Sequence, residues 1–194
     1  MANLCLDDVY FYSDEHPERI QELWEDLEAS IILSTCKPDD RWFGNILQYK
    51  SINTENIYLR GSVCYMTYDN EAILLSMETC WEPLYEAYRV VADTYGVSFV
   101  MQSIEPGFEI YENTDDTGRF FCDRYSIRYE NESFTTPSGQ PISQIIECEE
   151  FFTSSESVLE RFESAGYHAA TLTELKEKLE GTGITIYEFK NSYK

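Results

Sequence analysis

Apolar residues near the start of the chain change their spacing from that of a strand to that of a helix. Residues 6–12 are rich in β-forming side chains, so they predict a first strand. Pro17 suits the first turn of a helix. Apolar residues then recur at helical spacing as Ile20, Leu23, Trp24, Leu27 and Ile31. The pattern predicts a helix to about residue 32, with carboxylates at the positions between.

Two β-rich runs follow a segment that looks irregular. Residues 35–56 are predicted as a loop that packs down through its aromatic side chains. The runs at about 57–68 and 71–77 flank Asp69-Asn70. A short turn of this kind between β-forming residues predicts a hairpin.

A second helix is expected over about residues 82–95, because one face of that segment is apolar and Gly96 can end it. The residues of this face are Leu84, Tyr88, Val91 and Tyr95. A strand at 97–104 completes the order β-α-β-β-α-β. This order predicts an α+β fold with a ferredoxin-like split β-α-β core, an antiparallel sheet with two helices on one face.

The rest of the chain is predicted to decorate this core. Residues 107–112 and 119–130 are expected to form an extra hairpin around the turn at 113–118. The predicted organisation is therefore a core with its hairpin over 1–130 and a C-terminal extension over 131–194. The extension is expected to pack on the core as one globular unit.

Two capping boxes predict short helices in the C-terminal extension. They are Thr153-x-x-Glu156 and Thr171-x-x-Glu174, with Gly166 and Gly181 as stops. Residues 184–189 then predict a last strand.

The charge of the chain is strongly negative. Thirty-six acidic residues face fourteen basic ones, a formal charge of −22. The excess is regional: residues 1–30 hold nine acids and one base, whereas 151–194 hold seven acids and five bases. Such a field repels nucleic acid and anionic membranes and attracts basic partners. Two interpretations stay open: a surface adapted for solubility, and acids that imitate a polyanion.

The second interpretation depends on spacing. Carboxylates four residues apart on a helix rise about 6 Å along its axis, and phosphates of a duplex strand rise about 3.4 Å each. The first helix, the tip of the predicted hairpin and a segment near residue 148 are therefore candidate parts of an acidic face for a basic cleft. Its candidate residues are Glu18, Glu22, Glu25, Asp26, Glu112, Asp115, Asp116, Glu147, Glu149 and Glu150.

Catalytic, cofactor and metal motifs are not recognisable in the sequence. His16 and His168 are isolated, so the ligand spacing of a zinc site is missing. No Gly-x-Ser-x-Gly and no Gly-rich phosphate loop occurs. The six cysteines form no Cys-x-x-Cys pair and no basic segment precedes Asp7, which favours reduced thiols over disulfides. No apolar run approaches the roughly 20 residues of a membrane span, so no membrane partner is expected.

Three short motifs fall at the ends of predicted elements. They are Met1-Ala2-Asn3-x-Cys5, Thr79-x-Trp81-x-Pro83 and Glu105-Pro106-Gly107. Over about residues 1–130 the chain thereby resembles the YubB-like ferredoxin-domain family of phage and plasmid proteins. The resemblance implies a ferredoxin-like fold, a mobile-element origin and a bacterial cytoplasm, and it implies no particular activity. The family pattern has Asn two residues after the opening Cys and Trp just before it, where this chain has Asp7 and Leu4.

The motif residues also have structural interpretations. Trp81 is expected to plug the core at a strand-helix junction, and Pro83 to occupy the first turn of the following helix. Gly107 is expected to supply a backbone conformation that other residues resist. Glu105 either caps nearby backbone amides or faces a ligand. Cys5 is expected to be a buried structural thiol.

The sequence favours a non-enzymatic acidic binding protein of a mobile genetic element. In this hypothesis it is a DNA-mimic inhibitor that occupies a basic surface of a host defence or nucleic-acid-handling protein. One alternative is a small hydrolase or nucleotide-handling enzyme with two or three acids gathered in a cleft. Another is an assembly module whose contact surface uses Tyr49, Tyr58, Tyr65 and Tyr68.

Direct binding of nucleic acid is disfavoured by the charge, because bases stacked on aromatic rings also need a cationic groove for the backbone. Only two local groups of cations are candidates for such a groove. They are Arg124 with Arg128, and Lys37 with Arg41 and Lys50.

Overall fold

The computed structural model describes residues 3–32 and 41–194, and it combines several helices with antiparallel sheets in an α+β architecture. The chain divides into two units, Met1–Asp115 and Asp116–Lys194. The first unit contains β1 Leu4–Tyr12, α1 Pro17–Leu27, α2 Gly44–Tyr49, β2 Gly61–Tyr68, β3 Ala72–Cys80, α3 Tyr85–Tyr95, β4 Ser98–Glu105 and β5 Ile110–Asn113. The second contains β6 Tyr125–Tyr129, β7 Glu150–Phe152, α4 Ser155–Ser164, α5 Leu172–Leu179 and β8 Ile184–Glu188.

The sheet of the first unit has five antiparallel strands in the order β2-β3-β1-β4-β5. The central strand β1 aligns Val9 with Leu75 of β3 and with Met101 of β4. Alternate residues of β1 are buried, because successive side chains of a strand point to opposite faces of the sheet. One face of the sheet therefore carries the core.

Helices α1 and α3 contribute to the same core, as their apolar patterns predict. Ile20, Leu23 and Leu27 of α1 are fully buried with Tyr88 and Val91 of α3. Burial of such side chains stabilises a fold by about 1.5–3 kcal/mol each. A π-helical turn over Glu28–Ile32 continues α1. Gly96 ends α3 with a φ of 63°, the left-handed conformation that glycine adopts without a steric penalty.

The predicted hairpin of β2 and β3 is confirmed, with Tyr68 paired to Ile73. Asp69 holds its turn, since its Oδ1 accepts hydrogen bonds from the backbone N–H groups of Glu71 and Ala72. The loop predicted at 35–56 contains a helix, α2, which buries Ile46 and Leu47. Residues 33–40, including Lys37, lie outside the described residues.

The predicted hairpin of 107–112 with 119–130 is wrong. β5 pairs instead with β4, through Ile104 and Tyr111, and β6 belongs to the second unit. The boundary between units therefore lies at Asp115 and Asp116, not near residue 130. The turn-forming residues 113–118 mark the place where the chain leaves one sheet for the other, and turn composition alone does not identify the strands that pair.

The second unit is built on a three-stranded antiparallel sheet in the order β7-β6-β8. Ile127 of β6 is buried with Phe162 of α4 and Leu175 of α5, in a cluster separate from the core of the first unit. Thr171 caps α5 as predicted, because its Oγ1 accepts from the N–H of Glu174. The predicted cap at Thr153 is wrong by one residue, since Ser154 accepts from the N–H of Ser157.

No helix among the described residues is long and apolar enough to cross a membrane. Their five cysteines, which exclude Cys36, carry free thiols.

Candidate functional site

Three exposed carboxylates form a stripe along α1. Glu18, Glu22 and Glu25 follow at intervals of four and three residues, so they lie on one face of the helix. The opposite face is buried in the core, which fixes the stripe toward solvent. At about 1.5 Å of rise per residue the stripe is about 10 Å long. It is named the α1 stripe below.

Asp26, the fourth predicted acid of this helix, does not belong to the stripe. Its side chain is only 18% exposed and accepts hydrogen bonds from Lys50 Nζ at 2.9 Å and Tyr95 OH at 2.7 Å. The hydrogen bond from Lys50 raises the pKa of that ammonium group. Lys50 also lies 3.4 Å from Glu22 Oε1. Asp26 therefore ties α1 to α2 and α3 and is not available to a partner.

The acids predicted at a hairpin tip are separated by the boundary between units. Glu112 lies on β5, where it pairs with Ser103. Asp115 is 2% exposed, and a buried carboxylate cannot contact a basic cleft, so its predicted role is wrong. Asp116 belongs to the second unit, where Lys194 Nζ lies 2.9 Å from its Oδ1 and lowers the pKa of that carboxyl.

The remaining three predicted acids surround the start of β7. Glu147 is exposed, and its backbone N–H donates to Glu150 Oε2. Glu149 lies 3.2 Å from Arg128 Nε. Glu150 is largely buried and pairs with Arg161, with Nη2 at 2.7 Å from its Oε1. Partly buried pairs of this kind hold elements together, so Glu150 is a structural residue.

The described cations of the two candidate nucleic-acid grooves, which exclude Lys37, also contact other groups of the protein. Arg41 Nη1 donates to the carbonyl oxygen of Cys64, and Arg124 Nη1 donates to those of Phe121 and Asp123. Lys50 and Arg128 pair with the carboxylates described above. Each of these described side chains therefore uses hydrogen-bond donors in contacts within the protein itself.

A cluster of buried polar groups lies at one end of the first sheet, close to the start of α3. Asp7 of β1 is 1% exposed, and its Oδ2 accepts hydrogen bonds from the N–H of Leu84 at 3.1 Å and from Tyr88 OH at 2.7 Å. Cys5 Sγ donates to Asp7 Oδ1 at 3.3 Å. Ser103 lies on β4 directly opposite Asp7 of β1, and its side chain forms a further hydrogen bond with Asp7. The group is called the Asp7 cluster.

Burial controls the acid-base properties of the Asp7 cluster. Loss of water raises the pKa of Asp7, although its hydrogen bonds oppose the shift. Burial and the nearby Asp7 carboxylate raise the pKa of the Cys5 thiol, which is therefore a poor nucleophile. Tyr88 has its pKa raised by the same two causes. Cys5 is thus the buried structural thiol that was expected.

Glu105 caps the backbone that follows β4. Its two carboxylate oxygens accept from the N–H groups of Gly107 at 3.0 Å and Phe108 at 2.6 Å. Of the two interpretations of Glu105, the structure shows backbone capping. Gly107 has no positive φ, so the expectation that it supplies a conformation other residues resist is wrong, and a larger residue here would instead displace the side-chain ends of Asn3 and Glu105. A Cβ at this position would lie 2.5 Å from Asn3 Nδ2 and 2.9 Å from Glu105 Oε1.

The prediction that Trp81 plugs the core is wrong. Trp81 is 38% exposed, and its ring lies 5.8 Å from that of Phe108, which is also exposed. Its φ of 73° is unusual for a large side chain. The hydrogen bond from its N–H to the carbonyl oxygen of Asn3 holds this conformation. Pro83 lies two residues before α3 and not inside its first turn.

The four tyrosines proposed for an assembly surface behave in two ways. Tyr49 and Tyr65 are well exposed. Tyr58 donates its hydroxyl to the carbonyl oxygen of Cys80, and Tyr68 stacks on Trp24 at 5.7 Å. Two of the four therefore serve the first unit's own packing.

Sequence reasoning missed Asp7 as a buried charge and Asp26 as a helix tie. The available signal for Asp7 was its position, since it falls between Cys5 and Val9 on the buried alternation of β1. No pattern links Asp26 to Tyr95, because 69 residues separate them. Within the described part of the chain, no group of three His, Cys, Asp or Glu residues is placed to hold a metal ion. Comparisons with protein-family models, curated proteins and solved structures returned no match.

Proposed function

We propose that this chain is a non-enzymatic acidic binding protein whose α1 stripe occupies a basic surface of another protein. The observation that carries the proposal is the stripe itself, three exposed carboxylates spaced along about 10 Å of one rigid helix. The unit that bears it also holds most of the charge. Residues 1–115 contain twenty-two acids and six bases, whereas 116–194 contain fourteen acids and eight bases.

The partner proposed is a host protein that defends the cell or handles nucleic acid, with the chain acting as a DNA-mimic inhibitor. A cleft that binds duplex DNA is lined by Arg and Lys and attracts any rigid surface with closely spaced negative charge. The origin proposed is a mobile genetic element, which follows from the resemblance of the short motifs to phage and plasmid proteins. The bacterial cytoplasm is proposed as the location of the protein for the same reason.

The finer fold proposed for the first unit is ferredoxin-like. The strand order β4-β1-β3-β2, with α1 after β1 and α3 after β3, supports it. β5 extends the sheet beside β4 as an addition to that core.

The chain contains a matched control for the test. Glu156, Glu160 and Glu163 of α4 are exposed and have the same four-and-three spacing as the α1 stripe. Glu18→Gln, Glu22→Gln and Glu25→Gln together remove three charges. Glu156→Gln, Glu160→Gln and Glu163→Gln remove the same number from the second unit. The two triple variants therefore share a net charge and differ only in where it was lost.

The experiment is a pull-down from bacterial lysate at low and high salt with the parent chain and both variants. A partner should be retained at low salt, be released at high salt, and be displaced by duplex DNA. The α1 variant should lose that partner and the α4 variant should keep it. Equal retention by the two variants, or retention that duplex DNA does not affect, would contradict the proposal.

A further inference from the structure

A groove in the second unit runs between α5 and β8. It has a volume of about 720 Å³. Its floor and sides include Leu179 of α5 and both Ile184 and Ile186 of β8. The groove is independent of the α1 stripe, which belongs to the other unit.

β8 is an edge strand whose outer side faces this groove. Within the described residues it pairs only with β6. The N–H of Glu130 donates to the carbonyl oxygen of Gly183, and the N–H of Phe189 donates to that of Arg124. Hydrogen-bonded pairs alternate along an antiparallel ladder, so residues 183, 185, 187 and 189 turn their backbone groups toward β6. Residues 184, 186 and 188 turn theirs toward the open edge.

One of these outward groups is already satisfied. The N–H of Ile184 donates to Thr182 Oγ1 at 3.2 Å. Ile186, which lines the groove and is 6% exposed, places its N–H and carbonyl oxygen at the middle of this edge. An open row of donors and acceptors is a template for one more strand.

The charge of the groove indicates which strand fits. Glu130, Glu177 and Glu180 line it together with a single cation, Lys176. A Cβ on Gly183 would lie 3.5 Å from Glu130 Oε2, which places this carboxylate against the end of β8. A second copy of the chain would bring the same three carboxylates to the groove, so self-pairing is opposed by like charge.

We propose that the groove between α5 and β8 binds an extended basic peptide segment of a partner protein, which adds to the sheet as a strand beside β8. Backbone hydrogen bonds to the outward groups of β8 hold the segment. Its alternate side chains reach the groove, where lysine or arginine meets Glu177 and Glu180.

The test uses the full chain and a short fluorescein-labelled peptide in which lysine alternates with valine. Fluorescence anisotropy measures its binding. Two further peptides have the same sequence but are N-methylated, one at every lysine and the other at every valine. Only alternate N–H groups of an added strand face β8, so one isomer should bind about tenfold more weakly and the other should bind nearly as the parent peptide does.

Variants of the protein test how much the carboxylates of the groove contribute to peptide binding. Glu177→Gln with Glu180→Gln should weaken binding about fivefold, since each exposed ion pair contributes modestly. Glu160→Gln with Glu163→Gln on α4 removes the same number of charges at the same spacing, so it is the matched control and should change binding little. Absence of binding at low salt would overturn the proposal, and so would equal binding of the two N-methylated isomers. A concentration-dependent dimer with β8 amides protected from exchange would assign the groove to a second copy instead.

Discussion

Asp7 is a carboxylate that the fold has removed from water and surrounded with donors. Replacing it with alanine leaves the N–H of Leu84 and the hydroxyl of Tyr88 buried without their acceptor. Each unsatisfied donor costs about 1–3 kcal/mol, so we expect Asp7→Ala to lower the free energy of unfolding by about 2–4 kcal/mol. Urea unfolding measures this loss in the free energy of unfolding. Tyr88→Phe, which removes one donor and keeps the acceptor, should cost only about 1 kcal/mol. A loss below 1 kcal/mol for Asp7→Ala would contradict the assigned contacts.

The raised pKa of Asp7 also predicts how stability varies with pH. In the unfolded chain the pKa of an Asp is about 3.9. Between that value and the raised pKa the folded protein binds more protons than the unfolded chain, so stability falls as pH rises through this interval. The loss of stability caused by ionising the buried Asp7 is fully present above the raised pKa, and it is relieved as pH falls toward about 4.

The expected result is a steeper increase in the free energy of unfolding on acidification for the parent chain than for Asp7→Asn. Asparagine has no proton to gain, and other carboxylates contribute equally to both proteins. Urea titrations at several pH values measure the two slopes. Parallel slopes would show that Asp7 does not titrate differently in the folded state.

Trp81 combines exposure with a left-handed backbone conformation. That conformation costs an L-residue about 1–2 kcal/mol, and glycine adopts it freely. Trp81→Gly loses the contact with Phe108 but relieves this strain, so we expect the free energy of unfolding to change by less than about 1 kcal/mol. A buried tryptophan would cost about 3–5 kcal/mol on truncation. Chemical denaturation distinguishes the two outcomes, and Trp81→Ala, which keeps the strain, should be the less stable variant.

At the scale of the elements, Asp26 joins three helices in the first unit. It accepts from Lys50, which follows α2, and from Tyr95 at the end of α3. Asp26→Asn removes the charge from a largely buried pair, and we expect a loss of about 1–3 kcal/mol in the free energy of unfolding. Glu22→Gln, at 3.4 Å from the same ammonium group and well exposed, should cost less than about 0.5 kcal/mol. Equal losses of unfolding free energy from the two variants would show that the burial of Asp26 does not strengthen its contact with Lys50.

The elements that sequence could predict are those fixed by local patterns. The apolar spacing of Ile20, Leu23 and Leu27 identified α1, and Asp69-Asn70 identified the hairpin of β2 and β3. β5 was assigned to the wrong partner because β4 and β6 are both plausible neighbours for a short strand, and only tertiary packing decides between them. β7, with three residues, is too short to leave a pattern.

At the scale of the whole molecule, composition identified the charge but not its availability. Glu18, Glu22 and Glu25 are exposed as predicted, whereas Asp115 is buried and Asp26 is largely covered, although nothing in their neighbouring residues distinguishes them. Asp26 is held by Tyr95, which lies 69 residues away along the chain, and no local pattern encodes such a contact. A candidate acidic face therefore has to be chosen from the folded chain.

The division of charge between the two units predicts a salt effect that is larger in the first. Its formal charge is −16, against −6 in the second. Self-repulsion destabilises a compact unit, and salt screens it as the Debye length falls from about 30 Å at 0.01 M to about 10 Å at 0.1 M. Sodium chloride should therefore stabilise the first unit more strongly than the second.

The chain carries its own reporter for this comparison. All three tryptophans, Trp24, Trp42 and Trp81, belong to the first unit, so their fluorescence follows that unit through a urea titration. Hydrogen exchange of the amides in β6 and β8 follows the second. Salt should raise the tryptophan midpoint by more than it raises the stability of those amides, while sucrose at equal osmolality should not separate them. An equal response of both units to salt would mean that the excess carboxylates of the first unit are too far apart to repel one another, and the same spacing would then be too wide to imitate a chain of phosphates.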